Sequence, residues 1–322
     1  MHQGFPRLLG DVGGTHARWA WQAQPGAPLQ SISVVRCNAS ASLLDSARQY
    51  LAQLGAGPVK TAGIGIATAI TGDIVRMTNH PWSFSIAELK QQLGLERCLV
   101  INDFTALALS LPALGASDLQ AIGDGSAVPD TAIGLLGPGT GLGVSGLFPH
   151  AGGAWSALSG EGGHVTLAAA DEHESAILAL LRARFGHASA ERALSGPGLV
   201  NLYDAVCQVA GQVPAALQPN EVGSQALANG NPQCVQAVQL FASLLGNLAG
   251  NLALSLGARG GIYLGGGVVP RLGAAFDSAL FRRRFEDKGR FSGYLAAVPT
   301  WLITAATPAL TGAARALDTL PG

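Results

Sequence analysis

The sequence predicts an α/β fold, and three features predict it: apolar runs of strand length that alternate with helical patterns, glycine gathered into short clusters, and two strand-turn-strand segments built on comparable glycine turns. With 322 residues, 48% hydrophobic and 12% charged, the chain buries a large core, and its length suits two domains or one large one. The 44 glycines follow no fibrous period and form no low-complexity tail, so their clusters mark turns where backbone approaches a ligand.

Leu8-Leu9 leads into Gly10-Asp11-Val12-Gly13-Gly14-Thr15, and Ala17 to Gln22 reads as the returning strand. Strand-like runs follow at Ser31 to Arg36, Ala62 to Ala67 and Cys98 to Ile101, alternating with helical patterns at Ser42 to Leu54 and Ile86 to Leu93. Ser85 and Glu88 have the spacing of a capping box, in which hydroxyl and carboxylate satisfy orphan amides of the first turn. A second strand-turn-strand runs from Thr131 to Leu136, through Gly137-Pro-Gly-Thr-Gly-Leu-Gly143, into Val144 to Phe148. Helical stretches at Glu174 to Phe185, Leu199 to Ala210 and Cys234 to Leu256 make the following part larger and more helical. A strand at Ile262 to Leu264 ends in Gly265-Gly266-Gly267; Leu302 to Ala305 reads as a strand, and Gly312 to Leu317 as a short helix expected to pack on the first domain.

Composition narrows the partners. Nineteen Lys plus Arg against 20 Asp plus Glu give a net charge of -1, which gathers neither nucleic acid nor an anionic membrane, so a small-molecule partner is expected. Cys37, Cys98, Cys207 and Cys234 lie far apart without a CxxC pair, which speaks against a zinc knuckle or a secreted disulfide framework and for a reducing cytoplasm. Met1 to Arg7 has no basic region or apolar stretch of an export signal. The uncharged stretch Gln239 to Leu256 has the length of a membrane helix, but Gln239, Asn247 and Asn251 favour a buried core helix.

Asp11-Val-Gly-Gly-Thr15 sets a carboxylate, two residues without side chains and a hydroxyl in one turn: backbone amides for phosphate, Thr15 as a further donor, and Asp11 for Mg²⁺ directly or through water. The same segment also reads as an ordinary tight hairpin. Gly137 to Gly143 repeats the design with Thr140 as the hydroxyl; no Walker lysine follows either turn, and Gly13-Gly14 leads into a strand where a dinucleotide-binding fold needs a helix. Asp103, at the carboxyl end of a strand, is either a general base facing a ligand crevice or the N-cap of a helix from Thr105 to Leu111. Glu161 and His164 in Gly160-Glu-Gly-Gly-His164 suit a polyhydroxyl ligand or the start of a metal site, and Glu191 is either a further acceptor or a surface residue paired with Arg192.

Together, and in order along nearly the whole chain, Asp11-Val-Gly-Gly-Thr-His-Ala-Arg18, Met77-Thr-Asn-His-Pro-Trp-Ser-Phe-Ser-Ile86, Ile101-Asn-Asp-Phe-Thr105, Gly139-Thr-Gly-Leu-Gly143, Gly160 to His164, Leu194-Ser-Gly-Pro-Gly198 and Gly265 to Arg271 resemble the bacterial glucokinase family. The resemblance implies a two-domain actin-like (ribonuclease H-like) fold, with residues 1–110 and 301–322 in a small domain, 111–300 in a larger one, and the active site in the interdomain cleft. It implies Asp103 as the general base and Asn102, Asp103, Glu161, His164 and Glu191 as glucose ligands. Gly13, Gly14, Thr15, Gly139, Thr140 and Gly141 would cradle the phosphates of ATP, Gly265, Gly266 and Gly267 would border the adenosine, and Asp11 would serve Mg²⁺. A homodimer is implied as well. His16, where the family often has Asn, and Pro138, which lacks an amide donor, depart from the pattern.

The reaction implied is ATP-dependent phosphorylation of the glucose 6-hydroxyl. A kinase for another hexose shares most of these features, but the cysteine-rich zinc motif of the related repressor, ORF and kinase family is missing. A non-catalytic sugar sensor needs a DNA-binding domain, for which the sequence before Asp11 has no room.

Overall fold

The apolar run before the first glycine turn is β1 (Arg7–Val12), and the chain returns as β2 (His16–Gln22) and β3 (Gln30–Arg36). The computed structural model describes residues 4–55 and 57–320. After β3 come α1 (Leu43–Leu54), β4 (Thr61–Ile66), a small hairpin of β5 (Ile74–Arg76) and β6 (Ser83–Ser85), α2 (Ile86–Gln92), β7 (Arg97–Asn102) and α3 (Asp103–Ser110). Next are β8 (Leu119–Ala121), β9 (Ile133–Pro138), β10 (Leu142–Pro149), β11 (Trp155–Ser159), α4 (Glu172–Phe185), α5 (Ala190–Ala193), α6 (Gly196–Val209), α7 (Pro219–Leu227) and α8 (Pro232–Leu256). The chain closes with β12 (Ile262–Leu264), α9 (Val268–Leu272), α10 (Ser278–Glu286), α11 (Ser292–Ala296), β13 (Thr300–Ile303) and α12 (Pro308–Thr319). Two compact units result, one of residues 4–115, 154–159 and 305–320 among those described, the other of 116–153 and 160–304.

In the first unit the sheet order is β3-β2-β1-β4-β7, with β1, β4 and β7 parallel. Alternation along each strand assigns the faces. Leu8, Val12, Ala62, Ile64 and Ile66 share one core with Leu43, Ala47 and Tyr50 of α1 and Leu89 of α2. Leu9 joins Leu310, Ala313 and Leu317 of α12 on the other face. Every residue of β4 is buried, as expected of a central parallel strand covered on both faces. Helix α12 lies against α3, with Gly312 directly on the Ala106 carbonyl. Its last turn ends where Arg97 donates to the carbonyls of Leu317 (2.7 Å) and Leu320, so cationic donors satisfy orphan acceptors.

In the second unit the strands run β10-β9-β12-β13-β8, with β9, β12 and β13 parallel. An antiparallel hairpin followed by two parallel strands therefore occurs twice: β2-β1-β4-β7, then β10-β9-β12-β13. Helix α8, capped by Asn231 and closed by Gly257 in the left-handed region (φ 60°), is the axis on which α6, α7 and α10 pack. Its length and hydropathy would suffice to cross a membrane, yet 78% of that stretch is buried inside the protein, as expected of a core helix. Asn247 donates to the Ala168 carbonyl (3.2 Å) and accepts from Lys288.

Two local expectations change. Ser85 does accept from the Glu88 amide (3.1 Å), but Asp73, delivered by the β5-β6 hairpin, completes the cap in place of the Glu88 carboxylate: it accepts from the Ala87 amide (2.9 Å) and the Ser85 hydroxyl (2.6 Å). The second glycine turn is shorter than Gly137 to Gly143, because β9 continues through Pro138 and β10 begins at Leu142.

Glu174, 2% exposed, ties α4 to α8 and α10 by accepting from the Ser243 hydroxyl (2.8 Å), the Ala170 amide (2.8 Å) and Arg284 (3.0 Å). Glu174→Ala removes the buried partner of a largely buried guanidinium and leaves it only the more distant, exposed Asp287, and the expected loss is ~3–5 kcal/mol of unfolding free energy, measured by chemical denaturation.

Candidate functional site

In the first unit, parallel register sets three strand ends in one row: Val12 of β1 is level with Ile66 of β4, and Ile66 with Asn102 of β7. The glycine turn and Asp103 therefore leave the sheet at the same edge, about two strand spacings, ~10 Å, apart. Gly13 donates its amide to the His16 carbonyl (2.9 Å) and closes the turn. Among the described residues the amides of Gly14 and Thr15 have no acceptor, so they are the donors this turn offers. Gly14 lies against the backbone of Asn79, which brings the Met77 to Ile86 segment to the turn.

Asp11 stands opposite Arg18 across the β1-β2 ladder, and its Oδ2 accepts from Arg18 Nη1 at 3.1 Å. Burial raises its carboxyl above the ordinary value, against the lowering effects of the Arg18 charge and hydrogen bond. Oδ1 has no hydrogen-bond partner among the described residues. One such carboxylate beside a turn with two donor amides suits Mg²⁺, which in phosphoryl-transfer sites takes one or two carboxylates and completes its shell from water and substrate phosphates. No cluster of three or more His, Cys, Asp or Glu side chains occurs among the described residues, so Glu161 and His164 acquire no third ligand there.

Asn102 is the N-cap of α3. Its Oδ1 accepts from the amides of Phe104 (2.9 Å) and Thr105 (3.2 Å), and its Nδ2 donates to the Thr68 carbonyl (3.3 Å). The N-cap alternative for Asp103 is thereby replaced: Asp103 is the first helical residue, half-buried, its Oδ1 near the Phe104 amide (2.9 Å). The difference is one residue, because β7 runs through Asn102.

In the second unit, Gly139 closes its turn on the Gly141 carbonyl (2.7 Å), where Gly13 in the first closes on His16, and the amides of Thr140 and Gly141 have no acceptor among the described residues. Gly265 donates to the Leu136 carbonyl (2.7 Å), and Gly266, with φ of 76° and its α-carbon against the Pro138 carbonyl, occupies a position that only glycine fills without strain. Gly267 follows as the cap residue of α9. Glu161 and His164, both exposed, occupy one short turn closed by the His164 amide on the Glu161 carbonyl (3.0 Å). Glu191 does not pair with Arg192, which stacks on the Phe185 ring (4.3 Å to the centroid); its Oε2 accepts from the Leu142 amide at 2.9 Å, directly after the glycine turn.

The Asp11–Arg18 pair is a site feature beyond the sequence motifs; Arg18 lies seven residues past Asp11 across a short hairpin turn, so strand register sets the two opposite each other. The bond from Leu142 to Glu191 spans 49 positions and leaves no local signal. The cysteines are free thiols, and burial pushes Cys98 up to about 12 and Cys234 up to about 11.

A glucokinase family model matches residues 8–320. The chain is 53% identical to the glucokinase of Aromatoleum aromaticum, over 98% of this chain and 95% of that one. The chain belongs to the glucokinase family. As such it is an ATP-dependent sugar kinase. Among solved structures, a glucokinase from an Antarctic psychrotroph superposes with a TM-score of 0.88 at 34% identity, covering 97% of this chain and 98% of that one. A ROK family glucokinase from Streptomyces griseus, in complex with glucose and AMPPNP, shares the fold at a TM-score of 0.64 and 19% identity, covering 96% and 98%.

Asn102→Ala removes the cap of α3 and should lower stability by ~1–2 kcal/mol, whereas Asn102→Asp, which keeps the acceptor, should cost less; urea unfolding of both variants measures the difference.

Proposed function

We propose that the chain transfers the γ-phosphoryl group of ATP to the 6-hydroxyl of D-glucose on an actin-like, ribonuclease H-like two-domain fold. The observation that carries this reading is Asp103 at the carboxyl edge of β1-β4-β7, the edge from which the Gly13 to Thr15 turn presents two amides that have no acceptor among the described residues. The repeated hairpin-and-parallel-strand topology supports the fold assignment.

In this reading Asp103 accepts the proton of the 6-hydroxyl as that oxygen attacks the γ-phosphorus in line. Asn102, Glu161, His164 and Glu191 bind the other hydroxyls; the carboxylates accept, and the remaining N–H of Asn102 donates. The amides of Gly14, Thr15, Thr140 and Gly141 meet phosphate charge, while Gly13 and Gly139 hold those amides in place by closing each turn. Gly265 to Gly267 border the adenosine. Mg²⁺, held through Asp11, neutralises charge on the phosphate oxygens when bound. Because the transition state is loose, positioning and fixed dipoles outweigh base strength. A cytoplasmic homodimer with no nucleic-acid or membrane partner completes the reading, supported by family resemblance and charge balance.

A coupled assay of glucose 6-phosphate formation tests it. Asp103→Asn should lose ~10²–10⁴ in kcat while glucose binding, followed by calorimetry, persists. Undiminished turnover in the variant would remove Asp103 as the base, and no turnover of any hexose by the folded wild-type chain would contradict the kinase assignment itself.

A further inference from the structure

We propose that Glu191 positions the second glycine turn as well as binding sugar, so that one carboxylate links sugar occupancy to phosphate affinity. The inference rests on the assignment of Gly139 to Gly141 to the nucleotide phosphates. The segment from Glu191 to Gly196 holds that turn at both ends. At one end the Gly196 amide donates to the Gly139 carbonyl (2.8 Å); at the other the Leu142 amide donates to Glu191 Oε2 (2.9 Å). Thr140 and Gly141, whose amides have no acceptor among the described residues, lie between these two bonds.

The holding segment is itself fixed. The Ser195 hydroxyl donates to the Glu191 carbonyl (2.8 Å), and Ser195 Oγ accepts from the Gly198 amide (2.9 Å) to cap α6. Glycine at 141 belongs to the same arrangement, because a β-carbon there would collide with Glu191 Oε2. A hydrogen bond to an ionised carboxylate is stronger than a neutral one, so Oε2 fixes the turn firmly, and Oε1, without a hydrogen-bond partner among the described residues, remains for a sugar hydroxyl. A sugar that draws the carboxylate into one orientation also steadies the two amides. By linkage, bound nucleotide raises sugar affinity by the same factor.

The test is calorimetric titration of Mg-AMP-PNP into the sugar-free full-length chain, compared for wild type, Glu191→Ala and Glu191→Gln, with unfolding midpoints confirming that each variant is folded. Glu191→Ala should weaken nucleotide binding about tenfold or more, the loss expected of a hydrogen bond to a charged group. Glu191→Gln, whose amide oxygen still accepts from Leu142, should restore nucleotide affinity to within about threefold of wild type while glucose affinity stays reduced. Equal AMP-PNP affinity in wild type and Glu191→Ala, with only glucose binding impaired, would leave Glu191 a sugar ligand alone and overturn the proposal. Absence of AMP-PNP binding by the wild-type chain would overturn the nucleotide assignment and this inference with it.

Discussion

Parallel pairing of β1 with β4 and β7, and of β9 with β12 and β13, is the constraint on which the candidate site depends. Parallel strands run the same way, so their carboxyl ends fall at one edge, and whatever follows them must emerge there. In the first unit that rule delivers the Gly13 turn and Asp103 together; in the second it delivers the Gly139 turn and Gly265 to Gly267. The antiparallel hairpin added to each set turns the chain straight back, and a helix cannot start where a returning strand must. Donors at these turns are consequently loose backbone amides. Each turn spends one glycine amide on its own closure and leaves the next two without an acceptor among the described residues.

Much of this was legible because the signals are local. Glycine clusters between apolar runs located both hairpins, and periodicity located β4, β7, α4, α6 and α8 to within a few residues. What escaped was decided by tertiary contact. Asp73 completes the cap of α2 because β5 and β6, each of three residues, bring it there, and strands that short have no pattern to read. The exchange of N-cap from Asp103 to Asn102 turned on where β7 ends, a single residue that propensity does not fix, since both side chains cap well. For Glu191 the sequence left open both a further acceptor and a surface pairing with Arg192, because sequence shows neighbours and not the Leu142 amide across the fold.

Charge is used sparingly and in two ways. Arg284 of α10 is largely enclosed with Glu174 of α4 beside α8, where Ser243 and the Ala170 amide satisfy the remaining lone pairs, so that pair is structural. Asp11 and Arg18 form a more open pair beside the first glycine turn, with one carboxylate oxygen uncommitted among the described residues. Burial holds the Asp11 carboxyl above its ordinary range, and positive charge arriving nearby would favour its ionised form. A carboxylate already steadied by one cation needs little reorganisation to meet a second.

The site stands on a division of the amides: the two turns leave Gly14, Thr15, Thr140 and Gly141 as donors while Gly13 and Gly139 are already committed. Residue-resolved amide hydrogen exchange, with and without Mg-AMP-PNP and glucose, tests it most directly. Gly13 and Gly139 should be protected in the free protein, and the other four should exchange freely until nucleotide binds and then become protected. Protection of all six in the free protein, or exchange of the four that is unchanged by nucleotide, would contradict it.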